Sequence, residues 1–152
     1  MLPFRDNVFD LCISIVTLEH HYTPWLAVSE INRIIKHGGY FIGAVAFLEP
    51  YHGSYFHFSH QGLIRILAEN NFRVIHLSPG WHGIEAMTNK LFNSNIGIYF
   101  RPMISFFIFL RRLIITCFKH FRNKEKWANT DKFIVEDRFR FAGSFIFKAV
   151  KL

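Results

Sequence analysis

Two near-continuous apolar runs, separated by one amphipathic stretch, constrain this chain more than any other feature. "FDLCISIV" (Phe9 to Val16) and "YFIGAVAF" (Tyr40 to Phe47) have strand length and are rich in β-branched and aromatic residues. Runs of this kind read as strands covered on both faces, the pattern of a parallel sheet. Between them, Pro24 suits the first position of a helix. "PWLAVSEINRIIK" then spaces Leu26, Ile31, Ile34 and Ile35 at helical intervals, before Gly38 and Gly39 are expected to end the helix. A strand, helix, strand unit with a right-handed crossover follows, and the organisation is α/β.

Further along, "LEPYHGSYFHF" is a polar-aromatic loop after the second strand, at the carboxyl end where open α/β sheets bind ligands. Ser59 is placed to cap a helix over "HQGLIRILAENN", and Phe72 to Leu77 reads as a third strand. From Ile84 to Asp137 the pattern breaks into an insertion. "RFRFAGSFIFKAV" (Arg138 to Val150) then closes the chain as an alternating strand of the antiparallel type. The expected division is 1–83 as a core, 84–137 as a basic amphipathic helical insertion, and 138–152 as the closing strand of the same domain.

A chain of 152 residues with 51% apolar content can bury the core of one domain, or of part of one. Its charge of +7 is unevenly spread: thirteen of the eighteen Lys/Arg but only five of the eleven acids lie after Gly83. Between Lys90 and Lys126, eight basic residues face the single acid Glu125, which points to an anionic partner or surface for that segment. Cys12 and Cys117 sit in separate apolar runs with no metal-ligand or redox spacing, so buried thiols in a reducing compartment are expected. No basic stretch followed by an apolar one marks a signal peptide, and a cytoplasmic setting is the expectation. The longest apolar run, "PMISFFIFL", has nine residues and ends at Arg111, whereas a spanning helix needs about 20.

The segments "LPFRDNVFDLCISIVTLEHH", "PWLAVSEINRIIKHGGYFIGAV" and "HFSHQGLIRILAENNFRVIHL" resemble, in order and spacing over Leu2 to Leu77, the C-terminal half of class I S-adenosylmethionine-dependent methyltransferases of the type 11 kind. Phe139 to Lys148 is similar to that family's last strand. The resemblance implies a partial Rossmann-like fold with a mainly parallel sheet, an antiparallel last strand and four of seven strands. It implies S-adenosylmethionine as cofactor. The family's glycine-rich loop and ribose-binding acid precede the LPF turn, and no GxGxG occurs in this sequence. The chain therefore reads as part of a longer enzyme.

Site residues follow from that resemblance, each beside a plainer reading. Leu2, Pro3 and Phe4 match the segment beside the adenine, or form a turn whose Phe4 packs in the core. Ser14, Ile15 and Val16 end the first strand near the sulfonium, or simply pack. Glu19 and His20 match the Leu-Glu-His at the cleft lip and are the candidate catalytic pair, since a histidine near its ordinary pKa of roughly 6.5 can take a proton from an acceptor hydroxyl. The alternative is that both orient the next loop by hydrogen bonds. Tyr51, Tyr55 and His57 are candidate acceptor-binding residues. The His52, His57 and His60 spacing is not that of a metal site, and no metal is expected.

If "RPMISFFIFLRRLIITCFKHFR" is helical from Pro102, Arg101, Ser105, Arg112, Thr116 and Lys119 share one face and the remaining arc is apolar. That is the pattern of an interfacial helix on an anionic membrane, or of a lid packed on the sheet. A nucleic-acid role is disfavoured, because the aromatics lie away from the basic residues. The function expected is methyl transfer to a small or lipid-like acceptor. The alternative is a non-catalytic remnant acting as a membrane-associated or partner-binding module.

Overall fold

The computed structural model describes residues 2–49, 53–81, 83–84, 87, 99–100, 102–111, 113–114, 139 and 141–152. Its elements are β1 (Phe9–Ile15), a 3-10 turn (Leu18–His20), α1 (Pro24–Ile34), β2 (Ile35–Ala46), α2 (His60–Glu69), β3 (Phe72–Pro79) and β4 (Ser144–Lys151). The strand order is β1-β2-β4-β3. β1 and β2 are parallel around α1, and β4 is antiparallel to both β2 and β3. This is the partial Rossmann-like α/β arrangement expected, with the last strand inserted against the direction of the rest.

Local chemistry explains the elements. Pro24 opens α1 at a position whose N–H needs no partner. Ser59 caps α2, its hydroxyl accepting from the Gly62 N–H at 3.1 Å. α1 does not run on to the glycines, however. It ends at Ile34, and Ile35 is already extended and paired with Phe9. The register then jumps, so that Leu11 faces Tyr40 and residues 36–39 bulge from the strand. Gly38, at φ +77°, makes that bulge possible. Gly43 meets a different need. A Cβ there would lie 2.6 Å from the Ser14 carbonyl oxygen and 2.7 Å from the Phe147 ring, so only glycine lets β1, β2 and β4 pack at this level.

Both helices cover the same face of the sheet and touch each other. The core between them holds Val28, Ile31, Leu63 and Leu67 from the helices and Phe41, Val45, Phe72, Phe145 and Phe147 from the strands. The other face is open. Along β1 and its partners Leu11, Ile13, Ile15, Tyr40 and Ile146 are exposed, Ile13 to 60%. Among the described residues the two-sided cover expected for β1 is not found: the strand is the edge of the sheet, and its composition suits a neighbour and a third layer that those residues do not place there. Cys12, on the core side, is half-buried, and burial pushes its thiol up. Cys117 lies outside the described residues.

Within the insertion, residues 102–111 and 113–114 are helical. Arg101, Arg112, Thr116 and Lys119 of the expected basic face lie outside the described residues. No described helix is long and apolar enough to cross a membrane.

Candidate functional site

The carboxyl ends of β1 and β2 meet where the polar motifs begin. The Val16 N–H donates to the Ala44 carbonyl at 2.9 Å, and Val16 itself sits at φ +49°. A β-branched residue in the left-handed region costs on the order of 1–3 kcal/mol, and such strain clusters at functional turns. It turns the chain sharply out of the sheet into Leu18–His20.

Glu19 and His20 then take opposite roles. Glu19 is fully buried, and one carboxylate oxygen accepts from the Ala46 N–H at 3.1 Å. Its carbonyl accepts from the N–H groups of Tyr55 and Phe56 at 2.9 and 3.2 Å. Glu19 thus ties the end of β1, the end of β2 and the loop after it into one unit. His20 is exposed, and its Nδ1 donates to the Gly53 carbonyl at 3.2 Å. Because a carbonyl can only accept, that bond places the proton on Nδ1 and makes Nε2 the basic nitrogen.

The loop is held at further points. His57 Nδ1 donates to the Phe47 carbonyl at 2.6 Å, and the Phe58 N–H donates to Ala46 at 2.9 Å. Tyr55 is exposed and meets Tyr22 edge-on, with ring centroids 5.5 Å apart. Trp25 meets Phe56 in the same way at 5.9 Å. Tyr51 and His52 lie outside the described residues. His60 packs its ring edge-on against Phe139 and Phe145, which stack on each other. Among the described residues, no three His, Cys, Asp or Glu side chains are grouped to hold a metal. Tyr22 and Trp25 were not foreseen as site residues; their place in "HHYTPW", directly after the Leu-Glu-His, was the available clue.

The LPF turn is docked on α1 rather than in the core. Arg33 donates to the carbonyls of Phe4 and Leu2 at 2.9 and 3.2 Å and pairs with Asp6 and Glu30. Glu30 in turn accepts from the Leu2 N–H at 2.9 Å. The Arg33 bond, helped by Leu2, holds the Glu30 carboxyl down at about 2, and the bonds to Glu30 and Asp6 raise Arg33. Phe4 stays exposed and meets Phe9 edge-on. Beside the turn is a cleft of about 380 Å³ lined by Leu2, His21, Thr23, Leu26, Ala27, Glu30 and Ile31. The candidate residues thus fall in two places, the cleft at Leu2 and the strand end at Ser14 to His20, with His21 on the side of the cleft.

Against known proteins, residues 1–43 match a family model described as a methyltransferase domain. The geranyl diphosphate C-methyltransferase of Streptomyces coelicolor, solved with Mg²⁺, geranyl diphosphate and S-adenosyl-L-homocysteine, superposes on all of this chain and 51% of its own, with a TM-score of 0.53 and 12% identity. This is the class I methyltransferase fold. The (4+2)-cyclase SpnF shares it at a TM-score of 0.53 and 19% identity, over 99% of this chain and 52% of its own. By sequence, the uncharacterized protein MJ0638 of Methanocaldococcus jannaschii is 34% identical over 104 residues, 68% of this chain and 40% of that protein. The matched region therefore spans less than half of that relative, and the class I superpositions engage about half of each solved chain.

Proposed function

We propose that the chain supplies the acceptor side of an S-adenosylmethionine-dependent methyltransferase acting on a small or lipid-like molecule. The observation that carries this reading is the strained turn at Val16 leading into a fixed His20 beside an aromatic loop, on a chain whose first 43 residues match a methyltransferase domain. Part of a cofactor site fits the residues present. The cleft beside Leu2, Pro3 and Phe4 has the size and apolar lining for a flat purine, and Ser14, Ile15 and Val16 end the strand that would face the sulfonium. The glycine-rich turn and ribose acid would have to come from outside this sequence.

What that cofactor supplies is a methyl group already activated by its positive sulfur. The remaining work is alignment and the removal of one proton. Nε2 of His20, oriented by the Gly53 carbonyl, receives that proton; Glu19 holds the turn and the loop in register and acts as a positioning residue. Tyr55 and His57 line the acceptor side, and Tyr51 is assigned to it from the sequence alone. The reading also places the protein against an anionic membrane surface, where a lipid-like acceptor resides.

A second reading is a binding module without turnover. It is favoured by the open sheet face at Leu11, Ile13 and Ile15, which calls for a partner whether or not methyl transfer occurs. The two are separated by joining the chain to the N-terminal half of a class I methyltransferase. The joined protein is titrated with S-adenosylmethionine, and labelled methyl is then followed into small-molecule and lipid acceptors. Cofactor binding without transfer to any acceptor would give the chain to the second reading.

A further inference from the structure

We propose that the helical residues 99–100, 102–111 and 113–114 form a bilayer-docking element that lays its apolar arc into an anionic membrane at the mouth of the candidate site. The proposal rests on the lipid-like acceptor of the proposed function for its purpose, although docking itself requires no cofactor.

Among the described residues, the helix is half-buried along one stripe and at Leu110. Phe100, Ile104 and Ile108 are half-buried at four-residue intervals, and Arg111 on the same stripe places its guanidinium 5.1 Å from the centre of the Phe141 ring. The broader arc is apolar and mostly exposed: Met103, Phe106, Phe107, Phe109, Leu113 and Ile114 are each 46% to 59% exposed, and Leu110 among them is half-buried. A lid packed on the sheet would bury that arc rather than the stripe, so the helix is oriented with its large hydrophobic side outward.

Hydrogen bonds fix the place of Phe141, the ring that Arg111 covers. Phe141 accepts from the Gly83 N–H, and Gly143 both donates to the Trp81 carbonyl and accepts from the Phe47 N–H, at 2.7, 2.7 and 2.8 Å. Phe47 directly follows β2. The helix and Trp81 therefore stand at the same end of the sheet as His20 and the aromatic loop. Trp81 is exposed, and an amphipathic indole beside an apolar arc suits the headgroup region.

Charge selects the occupant. The surrounding sequence, Lys90 to Lys126, has eight Lys/Arg and one acid. A second copy of this chain would bring the same positive segment against itself. An anionic lipid surface answers both the charge and the apolar arc, each Lys or Arg near it strengthening attachment by about 5-fold at low salt.

Flotation of the whole chain with phosphatidylcholine vesicles, with and without admixed phosphatidylserine, tests this, because aggregated protein sinks while bound protein rises. Flotation should require phosphatidylserine and weaken several-fold as salt is raised. It should fall by at least about 10-fold in Phe106→Ser/Phe107→Ser, which changes only exposed side chains and leaves the charge intact. Leu11→Ser/Ile13→Ser, which trims the open sheet face instead, should float as the parent does. Equal flotation with neutral vesicles, no flotation, or loss in the sheet variant but not the helix variant would overturn the proposal. So would self-association abolished by Phe106→Ser/Phe107→Ser without any vesicle binding. None of these outcomes bears on methyl transfer, which the joined protein tests separately.

Discussion

Replacing Lys151 by Met should destabilise the chain by about 3 kcal/mol. Lys151 is only 7% exposed, and its ammonium donates to Asn7 Oδ1 at 2.9 Å and to the carbonyls of Asn32 and Ile35 at 2.8 Å each. All three partners are neutral oxygens. Two of them lie at the carboxyl end of α1, where the helix dipole favours a cation by up to about 1 kcal/mol. Methionine keeps the packing of the stem, so the change isolates the charged group. The wild type bears a desolvation cost of several kcal/mol for burying the ammonium, which the variant avoids. Against this, the variant loses three charge-assisted bonds of about 1.5–3 kcal/mol each and leaves two buried carbonyls short of a donor. The balance is a loss of about 2–4 kcal/mol. With a urea slope of about 2 kcal/mol per molar, the midpoint should fall by about 1.5 M at unchanged slope. Lys148→Met is the control. That ammonium sits 4.2 Å from the centre of the Tyr40 ring on the open face, where a cation–π contact contributes about 1 kcal/mol or less. If Lys151→Met unfolds no earlier than Lys148→Met, the three oxygens do no more than offset desolvation and the reasoning fails.

His20→Ala in a cofactor-binding joined protein should lower turnover by about 10²–10⁴-fold while the affinity for S-adenosylmethionine stays put; unchanged turnover would return the residue to a loop-holding role. Glu30, whose carboxyl is lowered from 4.5 to about 2, adds stability that is complete above pH 4.5 and is lost as pH falls from there towards 2. Protection of the Leu2 amide from hydrogen exchange should fade over that window and lose its pH dependence in Glu30→Gln; protection steady down to pH 2 would contradict the assignment. The chain alone should bind S-adenosylmethionine poorly in calorimetric titration and should aggregate, since its β1 edge is apolar and unpaired. Clear micromolar binding by the chain alone would show that the cleft at Leu2 suffices.

Much of this architecture can be read from the residues, and the misses have definite physical causes. "FDLCISIV" specifies a strand because its β-branched side chains suit a pleated, covered surface. Sequence composition records the cover a strand is built for, not whether the covering residues are in the same chain, so β1 was legible from its composition, whereas its exposed edge followed only from the resemblance, which sets a further strand beside it. Gly38 and Gly39 gave the right kind of signal for the wrong event. Glycine marks a positive φ, and helix ends and strand bulges both use one. The Leu-Glu-His motif coincides with a turn at the carboxyl end of β1, but the 3-10 geometry that buries Glu19 and exposes His20 depends on Ala46 and the distant loop, which no local spacing encodes. Lys151 was invisible for the same reason: its three partners are up to 144 residues away.

The two halves of the candidate site differ in how far this chain prepares them. On the acceptor side, the loop at 53–58 is fixed through Glu19, Ala46 and Phe47 to the ends of both parallel strands, all within one network of main-chain bonds. These bonds hold the loop within the described residues, so under the proposed function acceptor selection travels with them. On the proposed cofactor side, Leu2 to Phe4 are tied to α1 through Arg33 and Glu30, with Phe4 edge-on to Phe9, and among the described residues Ser14 to Val16 are paired from β2 on one side. A charged ligand gripped from one side gains little, because binding must offset its lost freedom before any affinity appears. Completing β1 with a neighbouring strand would enclose the cofactor from the second side and cover Leu11, Ile13 and Ile15 in the same step. Cofactor affinity and solubility should therefore rise together when that neighbour is supplied, while the acceptor loop keeps the geometry it already has.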